Sequence, residues 1–163
     1  MVREIYQSHL RELQEEVVRM SEMVIKAIKA STEALKGHDM ELAEKILQDD
    51  EAINAKRWHI EEQCVNLIAT QQPVAADLRE IISISHIVNE LERIGDHAKG
   101  NARIVKLIGI SPHIKPLIDI PRMSDIACEM LSKSIDAFLK KEADFARSLI
   151  SRDDEVDALH EQV

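Results

Sequence analysis

The sequence predicts an all-α fold built from long helices, and three observations lead there. Gly and Pro number four each in 163 residues, so turn punctuation is sparse. Aromatics are limited to Tyr6, Trp58, Phe138 and Phe145, whereas sheet proteins draw more heavily on aromatic residues and turn signals. Apolar residues recur in alternating steps of three and four, the period of an amphipathic helix. A chain of about 150 residues buries roughly 70% of its unfolded surface, so a core is attainable without disulfides.

The first helix carries the stripe Tyr6, Leu10, Leu13, Val17, Met20, Val24, Ala27, Ser31 and Ala34. Gly37 follows the last of these and suits the left-handed position that ends a helix. Asp39 can then cap the next helix. That second helix runs from about Met40 to Thr70, its buried side marked by Leu42, Ile46, Ile53, Ile60 and Leu67. Gln71-Gln72-Pro73 interrupts it, because proline disfavours α geometry in the preceding residue and fits a new first turn. The third helix, from about Val74 to Ile108, carries Ile81, Ile84, Val88, Leu91, Gly95, Ala98, Ala102 and Val105. The small residues among these let another helix approach closely. Gly95 inside a helix costs about 1 kcal/mol against alanine, which points to a packing or site reason.

Residues 109–121 hold Gly109, Pro112, Pro116 and Pro121 and form the one linker. Beyond it the pattern restarts. A shift that carries Met20-Ser21-Glu22 onto Met123-Ser124-Asp125 also carries Ser31 onto Ser134, Ala34 onto Ala137 and Asp50 onto Asp153. Met123, Ala127, Met130, Ser134 and Ala137 then occupy the first helix's core positions. Internal repetition is the reading: residues 1–108 as a first three-helix repeat and 122–163 as the first two helices of a second. Two amphipathic helix pairs alike by chance are the alternative. Phe145, Leu149, Val156 and Val163 mark the last helix's stripe. Under the repeat, counterparts of Glu92 and Asp96 fall past Val163. Either the chain is expected to continue, or another copy covers the last helices.

Net charge is −9, which argues against nucleic acid, where affinity rests on Lys and Arg neutralising phosphates. It also disfavours anionic lipid. Cations and basic protein surfaces remain as partners. Cys64 and Cys128 form no CxxC pair and read as buried thiols. No signal peptide opens the chain and no run approaches the ~18 apolar residues of a membrane span, so a soluble, cytoplasmic protein is expected.

Chemistry concentrates in Asn89-Glu-Leu-Glu-Arg-Ile-Gly-Asp96. Glu92 and Asp96 are four apart and share one helix face, in a polar stripe with Ser85, Asn89, Lys99 and Arg103. Two like charges there call for a cation or a basic residue. One reading is an oxygen-rich metal site completed by Asp50 and Asn54 from the neighbouring helix, holding iron, zinc, manganese or magnesium. The other is a solvated acidic face paired with Lys99 or Arg103. Asp153, Asp154 and Asp157 are the second repeat's acidic cluster. The seven histidines form no metal signature; His86 and His97 lie on a solvated stripe. Trp58, off the apolar stripe, is a candidate partner anchor. There is no Ser-His-Asp logic, phosphate loop or GxGxxG motif.

Gln71-Gln72-Pro73-Val-Ala-Ala-Asp77-Leu78-Arg79, followed by Leu91-Glu92-Arg93-Ile94-Gly95-Asp96, resembles the signature of the PhoU family. The resemblance covers the whole chain in helix order and implies tandem three-helix bundles. It also implies metal ions held by Glu92 and Asp96, a homodimer, and negative control of phosphate uptake. The implied partners are a phosphate-sensing histidine kinase and the ATPase of a phosphate ABC importer. The family's second Glu-x-x-x-Asp motif has no counterpart before Val163. Gln71, Gln72, Pro73, Asp77, Arg79, Arg93, Gly95 and Trp58 are the motif or partner candidates. No catalytic residue is expected. The alternatives are a metal-dependent hydrolase on an α-bundle and a plain structural helical partner.

Overall fold

A computed structural model describes residues 2–163. Met1, where the first repeat is expected to begin, lies outside the described residues. These form helices and no strand, in the order α1 (Val2–Gly37), α2 (Met40–Gln71), α3 (Ala75–Ile108), α4 (Asp119–Lys140), α5 (Ala143–Ser148) and α6 (Ile150–His160). No helix among them is long and apolar enough to cross a membrane.

The expected stripe of α1 is buried from Leu13 through Val17, Met20, Val24 and Ser31 to Ala34. The Ser31 hydroxyl enters that core because it donates to its own helix, at the Ile28 carbonyl 2.8 Å away. The helix end departs from expectation. Gly37 is still helical, and His38 takes the left-handed conformation at φ 52°. The Asp39 N–H closes the end on the Ala34 carbonyl at 2.9 Å, the bond of a Schellman cap. His38 holds this geometry by ties to the linker: its ring stacks on His113 with centroids 4.1 Å apart, and its Nδ1–H donates to the Gly109 carbonyl. His113 Nε2–H donates in turn to the Leu35 carbonyl at 2.9 Å.

Asp39 caps α2 as expected, accepting from the Leu42 N–H at 2.8 Å. At the other end Gln72 turns left-handed ahead of Pro73 and its N–H reaches the Ile68 carbonyl. All eight residues of the expected α3 stripe are buried. Gly95 has the packing reason the sequence asks for. A β-carbon there would lie 3.3 Å from both Cδ1 and Cγ2 of Ile53 on α2 and 3.9 Å from Val24 on α1.

The linker is shorter than expected, since α4 starts at Asp119. α4 lies antiparallel along α1, with the Thr32 hydroxyl 2.9 Å from that of Ser124. Cys128 meets the backbone of Ile25, which is its own counterpart under the internal repeat. Ile135 joins the core of α1–α3, with Leu131, Phe138 and Leu139 packed against it. α4 therefore shares the core of α1–α3. The single helix expected next is split, with α5 and α6 meeting at the buried Leu149. The α4 stripe is buried less than expected: Ala137 is covered, Met123, Ala127 and Met130 are half-buried, and Ser134 is exposed. Ala127 and Met130 face an apolar groove of about 500 Å³ shared with Ile87, Ile94 and Val156.

Two measurements test this packing. Gly95→Val puts two further methyls against Ile53, and overpacking of this kind costs about 1–3 kcal/mol. Urea denaturation should show that loss, with part of it recovered in the Gly95→Val/Ile53→Val double variant because Cδ1 is gone. Both cysteines are buried and free. Burial first, and Glu61 second, push the Cys64 thiol up to about 11. Only the thiolate reacts, so alkylation of Cys64 at pH 8 should be slow in the native chain and fast in denaturant.

Candidate functional site

The antiparallel seam between α2 and α3 carries the polar residues singled out in the sequence. Three contacts mark its register: Glu44 with Lys106, Asp50 with Lys99, and Glu61 with Asn89. Glu61 accepts from the Asn89 amide at 2.7 Å, and Arg57 donates to Glu61 at 3.3 Å and to the Asn89 carbonyl oxygen at 3.1 Å. The Arg57 guanidinium also lies 4.2 Å from the centre of the Trp58 ring. The sequence reading missed this junction; the Arg57–Glu61 spacing of four is the one signal that hints at it.

Asp50 is the buried acid of the seam, only 5% exposed. Its Oδ2 accepts from the Lys99 ammonium and, at 3.1 Å, from the Asn54 amide. The same amide donates to the Asp50 carbonyl. Lys99 Nζ also lies 3.9 Å from Asp96 Oδ1, whose side chain is about half exposed. Lys99 and Asn54 thus both meet Asp50 across the two helices, and Lys99 reaches towards Asp96. Glu92 stands seven residues from Lys99, about two turns along α3. Among the described residues no three His, Cys, Asp or Glu side chains converge as a metal-ligand group. As arranged here, the acids are bridged by an ammonium and do not fit a metal ion.

The remaining candidates are spread out. Arg93 pairs with Glu90 on the outer face, both well exposed. Gln71 and Pro73 are half-buried in the turn, while Gln72, Asp77 and Arg79 are exposed. Asp77 and Glu80 reinforce the effect of burial on Tyr6, whose hydroxyl is pushed up to about 12 and has no hydrogen-bond partner. Trp58 is 63% exposed, with Val65 on the same face of α2 at 64%. His86 and His97 are exposed, as expected. In the second repeat Asp153 lines the α4–α6 groove, and Asp154 and Asp157 are exposed.

Comparison with known proteins gives a consistent result. The family model described as the PhoU domain matches residues 17–105 and 120–163. A phosphate-specific transport system accessory protein PhoU homolog of Aquifex aeolicus is 39% identical over 94% of this chain and 70% of its own length. The homolog of Clostridium acetobutylicum is 37% identical over 100% and 75%. The crystal structure of PhoU from Pseudomonas aeruginosa superposes with a TM-score of 0.88 at 31% identity, over 96% of this chain and 76% of that one.

Breaking a buried ion pair from one side costs about 3–5 kcal/mol, because a charge is left unpaired. Lys99 keeps some access to water, so Asp50→Ala should cost about 2–4 kcal/mol in urea denaturation. Asp96→Ala, at a half-exposed carboxylate, should cost about 0.5 kcal/mol or less.

Proposed function

The chain belongs to the PhoU family, and from that premise we propose that it is a regulatory accessory protein of phosphate transport, acting through protein contact and not through turnover. The observation that carries this reading is the family match across both repeats, 17–105 and 120–163. The relatives are named as accessory proteins of phosphate-specific transport, which is the role carried over here. In this reading the chain works in the cytoplasm, as a homodimer. It contacts the ATPase of the phosphate importer and a phosphate-sensing histidine kinase, and restrains uptake when phosphate is plentiful.

The outer face of α2 supplies a surface for such contacts. Trp58 and Val65 lie two turns apart on one face, and Val74, in the turn before α3, is 74% exposed. Arg57 backs the Trp58 ring and is itself tied to Glu61 and Asn89. The ring is therefore presented with few conformations to lose on binding. Tryptophan and arginine are the residues that most often carry interface energy. Exposed Asp77 and Arg79 beside the turn add opposite charges for orientation.

Binding of the purified chain to the importer ATPase and to the kinase's cytoplasmic part tests the reading. Truncating a central interface tryptophan typically costs 2 kcal/mol or more, so Trp58→Ala should weaken at least one complex by about thirtyfold with the fold intact by circular dichroism. Undiminished affinity of a Trp58→Ala/Val65→Ser variant for both would reject this surface. Failure of the wild-type chain to bind either protein would reject contact as the mode of action.

A further inference from the structure

We propose that the Lys99 ammonium takes the place of a metal ion on the acidic face between α2 and α3. The contacts are those a bridging cation makes. Nζ is bonded to the buried Asp50 on α2 and approaches Asp96 on its own helix at 3.9 Å. Asn54 supplies the third polar group by donating to the same Asp50 oxygen at 3.1 Å. An amide that donates its N–H to this carboxylate presents a donor, not a lone pair, to any cation arriving there.

The alternative occupant is disfavoured by the same geometry. A divalent ion held by Asp50 and Asp96 would sit within a few ångströms of the ammonium, where like charges in a partly buried site repel strongly. Glu92 lies one turn before Asp96 on α3, yet no three His, Cys, Asp or Glu side chains of the described residues come together. The lysine, in contrast, is tethered to the helix and present in every molecule. It balances the one acid that is out of water and leaves Asp96 half in solvent. The first bundle then keeps its register whether or not metal is available. The proposal rests on the seam alone and stands apart from the choice of protein partner.

Metal content and thermal stability of the full 163-residue chain test this. The wild-type chain, dialysed against Mn²⁺ or Zn²⁺ and then buffer, should retain well under one ion per chain by elemental analysis. Its melting temperature should be unmoved by EDTA or by added Mn²⁺. In Lys99→Met the carboxylates lose their cation, so Mn²⁺ should now raise the melting temperature, as a ligand of the native state does. If Lys99→Met does not fold, Lys99→Gln serves the same purpose with a donor kept for Asp50. Retention of about one ion by the wild-type chain, lost in Glu92→Ala/Asp96→Ala, would overturn the proposal. So would a Lys99 variant as indifferent to Mn²⁺ as the wild type, since the ammonium would then replace nothing.

Discussion

With no β-carbon at Gly95, the α3 backbone settles against the Ile53 side chain, which lies 3.3 Å from where that carbon would be. A valine or leucine there would hold the two helices further apart. Close approach at this point brings Ala98 and Ala102 against the rest of the core and lets ridges of one helix enter grooves of the other. It also fixes the sliding register. Once Gly95 is seated on Ile53, Asp50 has Lys99 within reach, Arg57 and Glu61 have Asn89, and Glu44 has Lys106. The polar seam is a consequence of an apolar contact.

The internal repeat expected from the sequence can be followed in how the second half is attached. Cys128 lies against Ile25, its own counterpart. In an antiparallel helix pair, a residue meets its equivalent only near a local two-fold axis, and this contact is the one such an axis between α1 and α4 would give. The neighbouring contacts agree. Thr32 meets Ser124, and their counterparts Ile135 and Ser21 are both buried. Equal sequence patterns thus meet unequal surroundings. α1 is covered on its stripe by α2 and α3 and on a second face by α4, while the corresponding α4 stripe lines a groove. Ser31 and Ser134 occupy equivalent positions, yet one is fully buried and the other exposed.

Much of this was legible in the sequence, and the exceptions have physical causes. The three long helices follow from periodicity, and the α2 start follows from Asp39, because both signals are local. The sequence points to Gly37 as the end of α1 because glycine is the usual left-handed residue. His38 takes that role because its ring is held by His113 and Gly109, partners 71 or more residues away. The break at Leu149 carries no Gly or Pro; a buried leucine between two short helices is a tertiary effect. The Arg57 junction needed the α2–α3 register, which no local pattern supplies. The spacing of Glu92 and Asp96 puts them on one helix face, and Lys99 or Arg103 is the partner the sequence offers that pair. The sequence did not show that the buried acid would be Asp50 and the exposed one Asp96.

That last distinction separates two chemistries that look alike as text. Acids four apart on a helix, facing an acid on its neighbour, satisfy the spacing of a carboxylate metal site and of a salt-bridged seam equally well. A buried carboxylate persists only with a partner, and the pattern of acids leaves open whether that partner is an ion from solution or a side chain. The deciding residue is three positions beyond Asp96, where the helical period returns to the same face. A lysine there has a stem long enough to cross to the facing helix and keep its head at the edge of solvent. Lys99 does this, with its side chain 26% exposed and its ammonium on Asp50. An acid or a small residue at that position would leave Asp50 dependent on a cation from elsewhere. On the proposal made for Lys99, the identity of one residue outside the acidic motif decides whether the motif recruits a metal or is neutralised by its own chain.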